Sequence, residues 1–228
     1  MLLEFFFSCK KTEPPLVEVI EQVNDIDGNV YKVKKIGSLY WTTENLKTTR
    51  YANGDVIPNL TDSTLWAEAT VGAQVSYNNS LTQLQLYGRL YNALAVIDPR
   101  GLCPQGWRIP TNTDWVSLEL HLGMTNLQAD SMEYRGTNEG HLLKAPNKWP
   151  GEYTSGNKIG FEALPSGVRS YESVFDYAES IAVFWASSEA FKNHYWSRTI
   201  SSNISQIGKF YMGETAGFSC RCVKDAQQ

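Results

Sequence analysis

Leu102-Cys103-Pro104-Gln105-Gly106-Trp107-Arg108-Ile109-Pro110-Thr111-Asn112-Thr113-Asp114-Trp115 holds a cysteine, a tight turn, a Trp of the buried kind and the sharpest helix start in the chain. Thr111 has the chemistry of an N-cap, because its hydroxyl can accept from the free N–H groups of a first helical turn. Asp114, three residues on, stands where a capping box places Glu or Gln. Behind the cap, Trp115, Leu118 and Leu122 fall on one helical face, and Gly123 follows as the C′ residue. A cysteine ahead of such a helix calls for a partner, and the distant candidates downstream are Cys220 and Cys222. The middle of the chain is therefore expected to bond to its last strand.

Working outward, Asp25-Ile26-Asp27-Gly28-Asn29-Val30-Tyr31, Trp41-Thr42-Thr43-Glu44-Asn45-Leu46-Lys47 and Tyr87-Gly88-Arg89-Leu90-Tyr91-Asn92 precede the central stretch. Gly160-Phe161-Glu162-Ala163-Leu164-Pro165-Ser166-Gly167, Trp185-Ala186-Ser187-Ser188-Glu189 and Gly217-Phe218-Ser219-Cys220-Arg221-Cys222-Val223 follow it. In this order the segments resemble the Fibrobacter succinogenes major paralogous domain (FISUMP) family of bacterial surface lipoproteins, from about residue 24 to the end. The resemblance implies an α+β, C-type-lectin-like fold of the formylglycine-generating-enzyme branch, with short twisted antiparallel strands, two helices and long irregular loops. It implies no reaction. It does imply that Cys103 pairs with Cys222, while Cys220 stands where the family has an apolar residue; a small buried apolar role is the plain alternative for Cys220.

At 228 residues the chain is long enough to bury a substantial core. Hydrophobic residues are 42% and charged residues 19%, which suits a β-rich extracellular globule. With a net charge of −4 and no long Lys/Arg run, nucleic acid is not an expected partner, because phosphate binding needs a basic stripe. Seven Trp and twelve Tyr supply core rings and also suit sugar-stacking surfaces.

Met1 to Lys11 reads as an apolar run, a small residue and then Cys9, the pattern of a bacterial lipoprotein signal in which the cysteine is lipidated. The run is short, Glu4 interrupts it and no basic residue precedes it; the plain alternative is an N-terminal strand with a free thiol. The expected division is a truncated signal over 1–8, a lipid-anchored linker over 9–24 and the domain over 25–226. Such an anchor places the domain outside the cytoplasm on the bacterial outer membrane, on its surface or periplasmic face.

Within the domain, the Asp25–Asn29 turn leads into a strand over Val30–Ile36, a Gly37-Ser38 turn and a partner strand over Leu39–Thr42. Asp25, Asp27 and Asn29 mimic half a calcium loop, but its Gly and Glu positions are Val30 and Ile36, so a plain turn is expected. Residues 51–80 read as loop. Leu84, Tyr87, Leu90, Tyr91 and Leu94 recur at helical spacing and predict a helix over Gln83–Ile97, weakened by Gly88. Phe161–Arg169 reads as a core strand followed by a turn. Strands are expected over Ile181–Ser187, Tyr195–Ser201, Gln206–Met212 and Gly217–Lys224.

His121, His141 and His194 have no metal-ligand spacing, and the chain holds no Cys-x-x-Cys, Gly-x-Ser-x-Gly, His-Glu-x-x-His or P-loop. The Glu-Pro-Asn, Gln-Pro-Asp and Trp-Asn-Asp signatures of calcium-dependent lectins are absent as well. No catalytic residue, metal or other cofactor is therefore expected. A remote alternative is a formylglycine-generating-like oxidase built on Cys220-Arg221-Cys222.

In C-type-lectin-like folds the ligand surface comes from the C-terminal strands and loops, here Ser188 to Gly213. Along Tyr195–Ser201, Trp196, Arg198 and Ile200 alternate with Tyr195, Ser197, Thr199 and Ser201. The first set holds family framework positions. The second is expected to share an exposed face with Phe191, Asn193, His194, Asn203 and Tyr211, so the candidate ligand residues are Phe191, Asn193, His194, Tyr195, Ser197, Thr199, Asn203 and Tyr211. Rigid aromatics mixed with adaptable polar groups are what binding surfaces use. The expected role is a cell-surface module that binds a glycan or a surface protein without catalysis. The alternative is a structural or adhesin component acting as spacer or assembly unit.

Overall fold

The computed structural model describes residues 21–150 and 159–226. The expected signal segment and the Cys9 lipidation site lie outside the described residues. Strand β1 (Gln22–Asn24) pairs antiparallel with β2 (Val30–Ile36), so residues assigned above to a linker already belong to the domain edge. Asp25 shapes the turn between them: its carboxylate accepts from the backbone N–H of Asp27 and Asn29, the Asn29 amide and the Tyr31 hydroxyl. Gly37, at φ +63°, then reverses the chain into β3 (Leu39–Thr42), at the bounds the sequence implied.

The next segments correct the sequence reading. The loop-rich stretch contains α1 (Ser63–Ala67) and β4 (Gln74–Ser76). The helix expected over Gln83–Ile97 is three elements: α2 (Leu81–Tyr87), β5 (Arg89–Tyr91) and α3 (Ala93–Val96). Gly88 breaks it at φ 75°, ψ −155°, where a Cβ would stand 2.8 Å from the Leu46 carbonyl oxygen. Beyond Gly88, pairing of β5 with β4 buries Leu90 and Tyr91, and Asn92 caps the next turn. Helical spacing was satisfied by residues on different backbones, of which Leu90 and Tyr91 are buried while Leu84, Tyr87 and Leu94 are partly exposed.

Helix α4 (Asn112–His121) begins as expected. The Thr111 side chain accepts from Asp114 N–H, and the Asp114 carboxylate accepts from Thr111 N–H at 2.7 Å. Gly123 follows at φ +112°. Short elements come next: α5 (Asn126–Asp130), β6 (Glu133–Arg135) and α6 (Glu139–Leu143). The strand expected from Phe161 starts instead after Pro165, as β7 (Ser166–Arg169), since proline has no N–H to give a ladder. Then come β8 (Phe175–Ala178), β9 (Ile181–Phe191), β10 (His194–Ser201), β11 (Ile207–Gly213) and β12 (Val223–Asp225). Gly217–Cys222, expected within the last strand, makes isolated bridges such as Tyr91 to Phe218 and Phe184 to Ser219 in place of a continuous ladder.

These strands form a four-stranded sheet ordered β1-β2-β3-β12, a six-stranded sheet ordered β6-β11-β10-β9-β7-β8, and the small β4-β5 pair. The architecture is α+β, dominated by sheet, with six short α-helices among the described residues in place of the two expected. Among the described residues no helix is long and apolar enough to cross a membrane.

Strand β9 shows where the core sits. Val183 and Trp185 join one buried cluster with Tyr91, Tyr195 and Phe218, while Ala182, Phe184 and Ala186 join another with Trp41, Trp115 and Phe161. Alternate side chains thus feed two cores, which is why the strand reads as a continuous apolar run. Trp115 from α4 packs within 5.8 Å of Trp41, Phe161 and Phe184. The disulfide joins Cys103 to Cys222 with Cα atoms 5.8 Å apart, tying the stretch ahead of α4 to the end of the chain, and Cys220 is free and buried.

Buried cations fasten the loops. Arg221 donates to the Asn45 side chain and to the carbonyls of Thr42, Phe161 and Glu162, and burial pulls its guanidinium down to about 9. Arg169 donates to the carbonyls of Leu60, Thr61 and Asp62 while lying over the Trp66 ring. Irregular backbone stays fixed because its carbonyls have buried donors.

Candidate functional site at the tip of the C-terminal hairpin

Strands β9 and β10 are joined by Lys192-Asn193. Asn193 takes φ +60°, a conformation that Asn tolerates better than most residues, and its N–H donates to the Glu189 carboxylate at 2.9 Å. The register sets Phe191 opposite His194 and Trp196 opposite Tyr211 on β11. The Phe191 and His194 rings stack at 4.2 Å, and Tyr211 stands edge-on to Phe191 at 4.8 Å. Tyr211 also meets Trp196 at 6.0 Å. Phe191 remains 49% exposed and Tyr211 42%, with His194 half-buried beside them. His194 Nδ1 lies 3.0 Å from the Lys192 carbonyl oxygen, so with Nδ1 as donor the neutral ring leaves Nε2 as acceptor.

The platform has a rigid backing. On the same sheet face, the buried Arg198 donates to the Glu119 carboxylate of α4 at 2.5 Å, and Arg135 of β6 reaches the same carboxylate at 2.7 Å. Lys209 of β11 lies 5.1 Å from the Trp196 ring and donates to the carbonyls of Ala129 and Asp130. Burial, then the neighbouring Arg198 and Arg135, holds the Lys209 ammonium below its ordinary range. One carboxylate thus gathers α4, β6 and β10 beneath the rings, and Lys209 adds β11 and α5. A site held by packed strands loses little conformational freedom when it binds.

The eight candidate ligand residues divide. Phe191, Asn193, His194 and Tyr211 come together at the tip. Asn203 is exposed at the opposite end of β10, in the connection to β11. Tyr195, Ser197 and Thr199 are buried, which corrects the exposed face assigned to them. Tyr195 packs in the core with Trp185, and the Ser197 hydroxyl donates to the Phe210 carbonyl. Strand β10 lies inside the sheet with both faces covered, so alternation separates its two faces without saying which is dry. The other correction concerns sides: Phe191, His194 and Tyr211 share the face of Trp196, not that of Tyr195. Trp196 therefore belongs to the ring cluster although it was read only as framework, and cross-strand register is the signal that places it there.

Other features of the chain are already committed. A cleft of about 480 Å³ borders Ile26, Ala52, Leu102, Cys103 and Pro104, but the Asp25 carboxylate on its wall is saturated by its own turn. Burial pushes the Cys220 thiol well up, which disfavours a thiolate. Among the described residues no three His, Cys, Asp or Glu side chains converge as a metal-ligand set.

A family model described as the Fibrobacter succinogenes major domain matches residues 34–224. That span runs from the first hairpin through α4, the hairpin tip and both disulfide cysteines. Searches of curated proteins and of solved structures find no match. The chain belongs to the Fibrobacter succinogenes major domain family.

Proposed function

We propose that this chain is a non-catalytic binding module, C-type-lectin-like in fold, anchored by a lipid on Cys9 outside the cytoplasm at the outer membrane. It contacts a glycan or a surface protein through the β9–β10 hairpin tip. The observation that carries this reading is the exposure of Phe191 and Tyr211 in one ordered ring cluster with His194 and Asn193. A spacer has no need of exposed rings on rigid strands, whereas recognition surfaces favour aromatics that lose little entropy on binding. The lectin-like assignment is supported by short strands among long loops and by a disulfide from the centre of the chain to its end. The absence of catalysis is supported by the cysteines, since Cys222 is bonded and Cys220 is a buried, reluctant thiol.

Beads carrying the purified chain are mixed with bacterial cells and extracellular matrix, alongside beads carrying the Phe191→Ala, Tyr211→Ala double variant. The module reading predicts adhesion that the double variant loses. Adhesion equal in both removes the tip as the binding face, and adhesion by neither favours the spacer.

A further inference from the structure

Helix α2 is fastened at both ends, yet it buries none of its residues. Ser80 accepts from the Gln83 N–H at its start, and the Asn45 amide donates to the Tyr87 carbonyl at its end. Just before it, Tyr77 packs on Phe175 of β8, with ring centroids 5.4 Å apart. Every other α-helix among the described residues buries at least one side chain. A helix of two turns has little stability of its own and depends on packing an apolar face. Here two leucines face outward instead: Leu81 is 76% and Leu86 55% exposed.

At about 100° per residue, Leu81, Gln85, Thr82 and Leu86 share an arc of about 140°, and all four are exposed, while Gln83, Leu84 and Tyr87 on the far side are half-buried. Along the axis the outer face therefore reads Leu, Thr, Gln, Leu. Turned end over end, that order sets leucine on leucine and a hydroxyl on an amide, and both of these polar groups donate and accept. The face is its own complement, as a twofold contact between identical chains requires. Charge does not oppose it: no Asp, Glu, Lys, Arg or His occurs between Glu68 and Arg89, and Glu179 acts on Tyr87, on the inner side. The same lack leaves the face without the basic rim that draws an amphipathic helix to an anionic bilayer. About 10 Å of helix covers far less than the roughly 800 Å² per partner of a lasting interface, so the contact is a reversible one. We infer that the outer face of α2 is a self-association surface, on which a second copy of the chain lies antiparallel with its Leu86 against Leu81. It shares no residue with the hairpin tip.

Sedimentation velocity of the purified chain from about 10 μM to about 1 mM tests this. The expected result is a monomer at the low end that shifts toward a dimer as concentration rises. Leu86→Glu, which puts a carboxylate against the second copy's leucine, should weaken association about tenfold or more while leaving the Tm unchanged. Leu81→Lys added to Leu86→Glu sets opposite charges face to face twice, and association should return, now sensitive to salt. A parent that stays monomeric throughout, association that Leu86→Glu leaves intact, or a double variant no better than the single one overturns the inference. So does a monomer that is instead taken up by phosphatidylcholine vesicles, which would assign the face to a bilayer. The Phe191→Ala, Tyr211→Ala variant should associate like the parent whether or not the tip binds cells; loss of association there would move the contact to the tip.

Discussion

Replacing Cys103 with Ala removes the one covalent tie between the centre of the chain and its end, whichever C-terminal cysteine is available to it. The bridge spans a sequence separation of 119 residues. In the chain-entropy account, releasing a loop of that size from the unfolded ensemble costs about 5 kcal/mol of stability. With an unfolding entropy of about 2 cal/mol/K per residue over a domain of roughly 200 residues, that is a fall in Tm of about 12 °C. Both sulfurs lie in the core cluster that holds Tyr91, Trp185 and Phe218, so a packing loss adds to the entropic one. The assay is thermal unfolding of parent and Cys103→Ala by circular dichroism, with the parent also melted in reductant. The variant and the reduced parent should agree, both well below the oxidised parent. A fall of only 1–2 °C (about 0.5 kcal/mol) in both would refute the argument, because the β12–β3 ladder, the isolated bridges and Arg221 would then hold the end of the chain without the disulfide.

Glu119→Ala leaves Arg198 and Arg135 buried without the carboxylate they share, so a loss of about 3–5 kcal/mol in urea unfolding is expected; a loss under about 1 kcal/mol would show that the carbonyls near them suffice. Gly88→Ala forces a side chain into φ +75° and against the Leu46 carbonyl, and the strain should cost about 1–3 kcal/mol by the same measurement, whereas a neutral change would mean that the backbone relaxes freely. Burial raises the Asp114 carboxyl, but Arg108 and Thr111 outweigh it and hold it below the ordinary 3.8. Its folded value is depressed, so its stabilisation is complete above about pH 3.8 and fades as pH falls through the folded value. Asp114→Asn should flatten the acid limb of a Tm-against-pH curve, and an unchanged limb would assign acid sensitivity elsewhere.

Much of the frame was legible in the sequence where a local signal had one structural answer. Gly37-Ser38 between apolar alternations fixed the first hairpin, and Thr111 with Asp114 fixed the start of α4. The pairing of Cys103 with Cys222 followed from the family resemblance, since spacing alone left Cys220 open. Gln83–Ile97 failed because Leu84, Tyr87, Leu90, Tyr91 and Leu94 satisfy helical spacing while Gly88 takes a backbone no helix allows. Half of the candidate site was readable from composition at the tip. The other half was not, because Ser197 and Thr199 are small enough to fill a covered strand while looking like surface residues. The bulged pairing of β9 with β10, which sets Phe191 opposite His194 and so on the face of Trp196, has no local sequence mark.

Hydroxyl-radical footprinting of the chain, free and bound to cells or matrix, tests most directly where the ligand sits. Phe191 and Tyr211 should be protected on binding, while Tyr171 and Tyr177, which are more exposed and lie on the β7–β8 hairpin, keep their reactivity. Protection of Tyr171 and Tyr177 with Phe191 and Tyr211 unchanged would contradict the assignment of the C-terminal hairpin tip as the binding face.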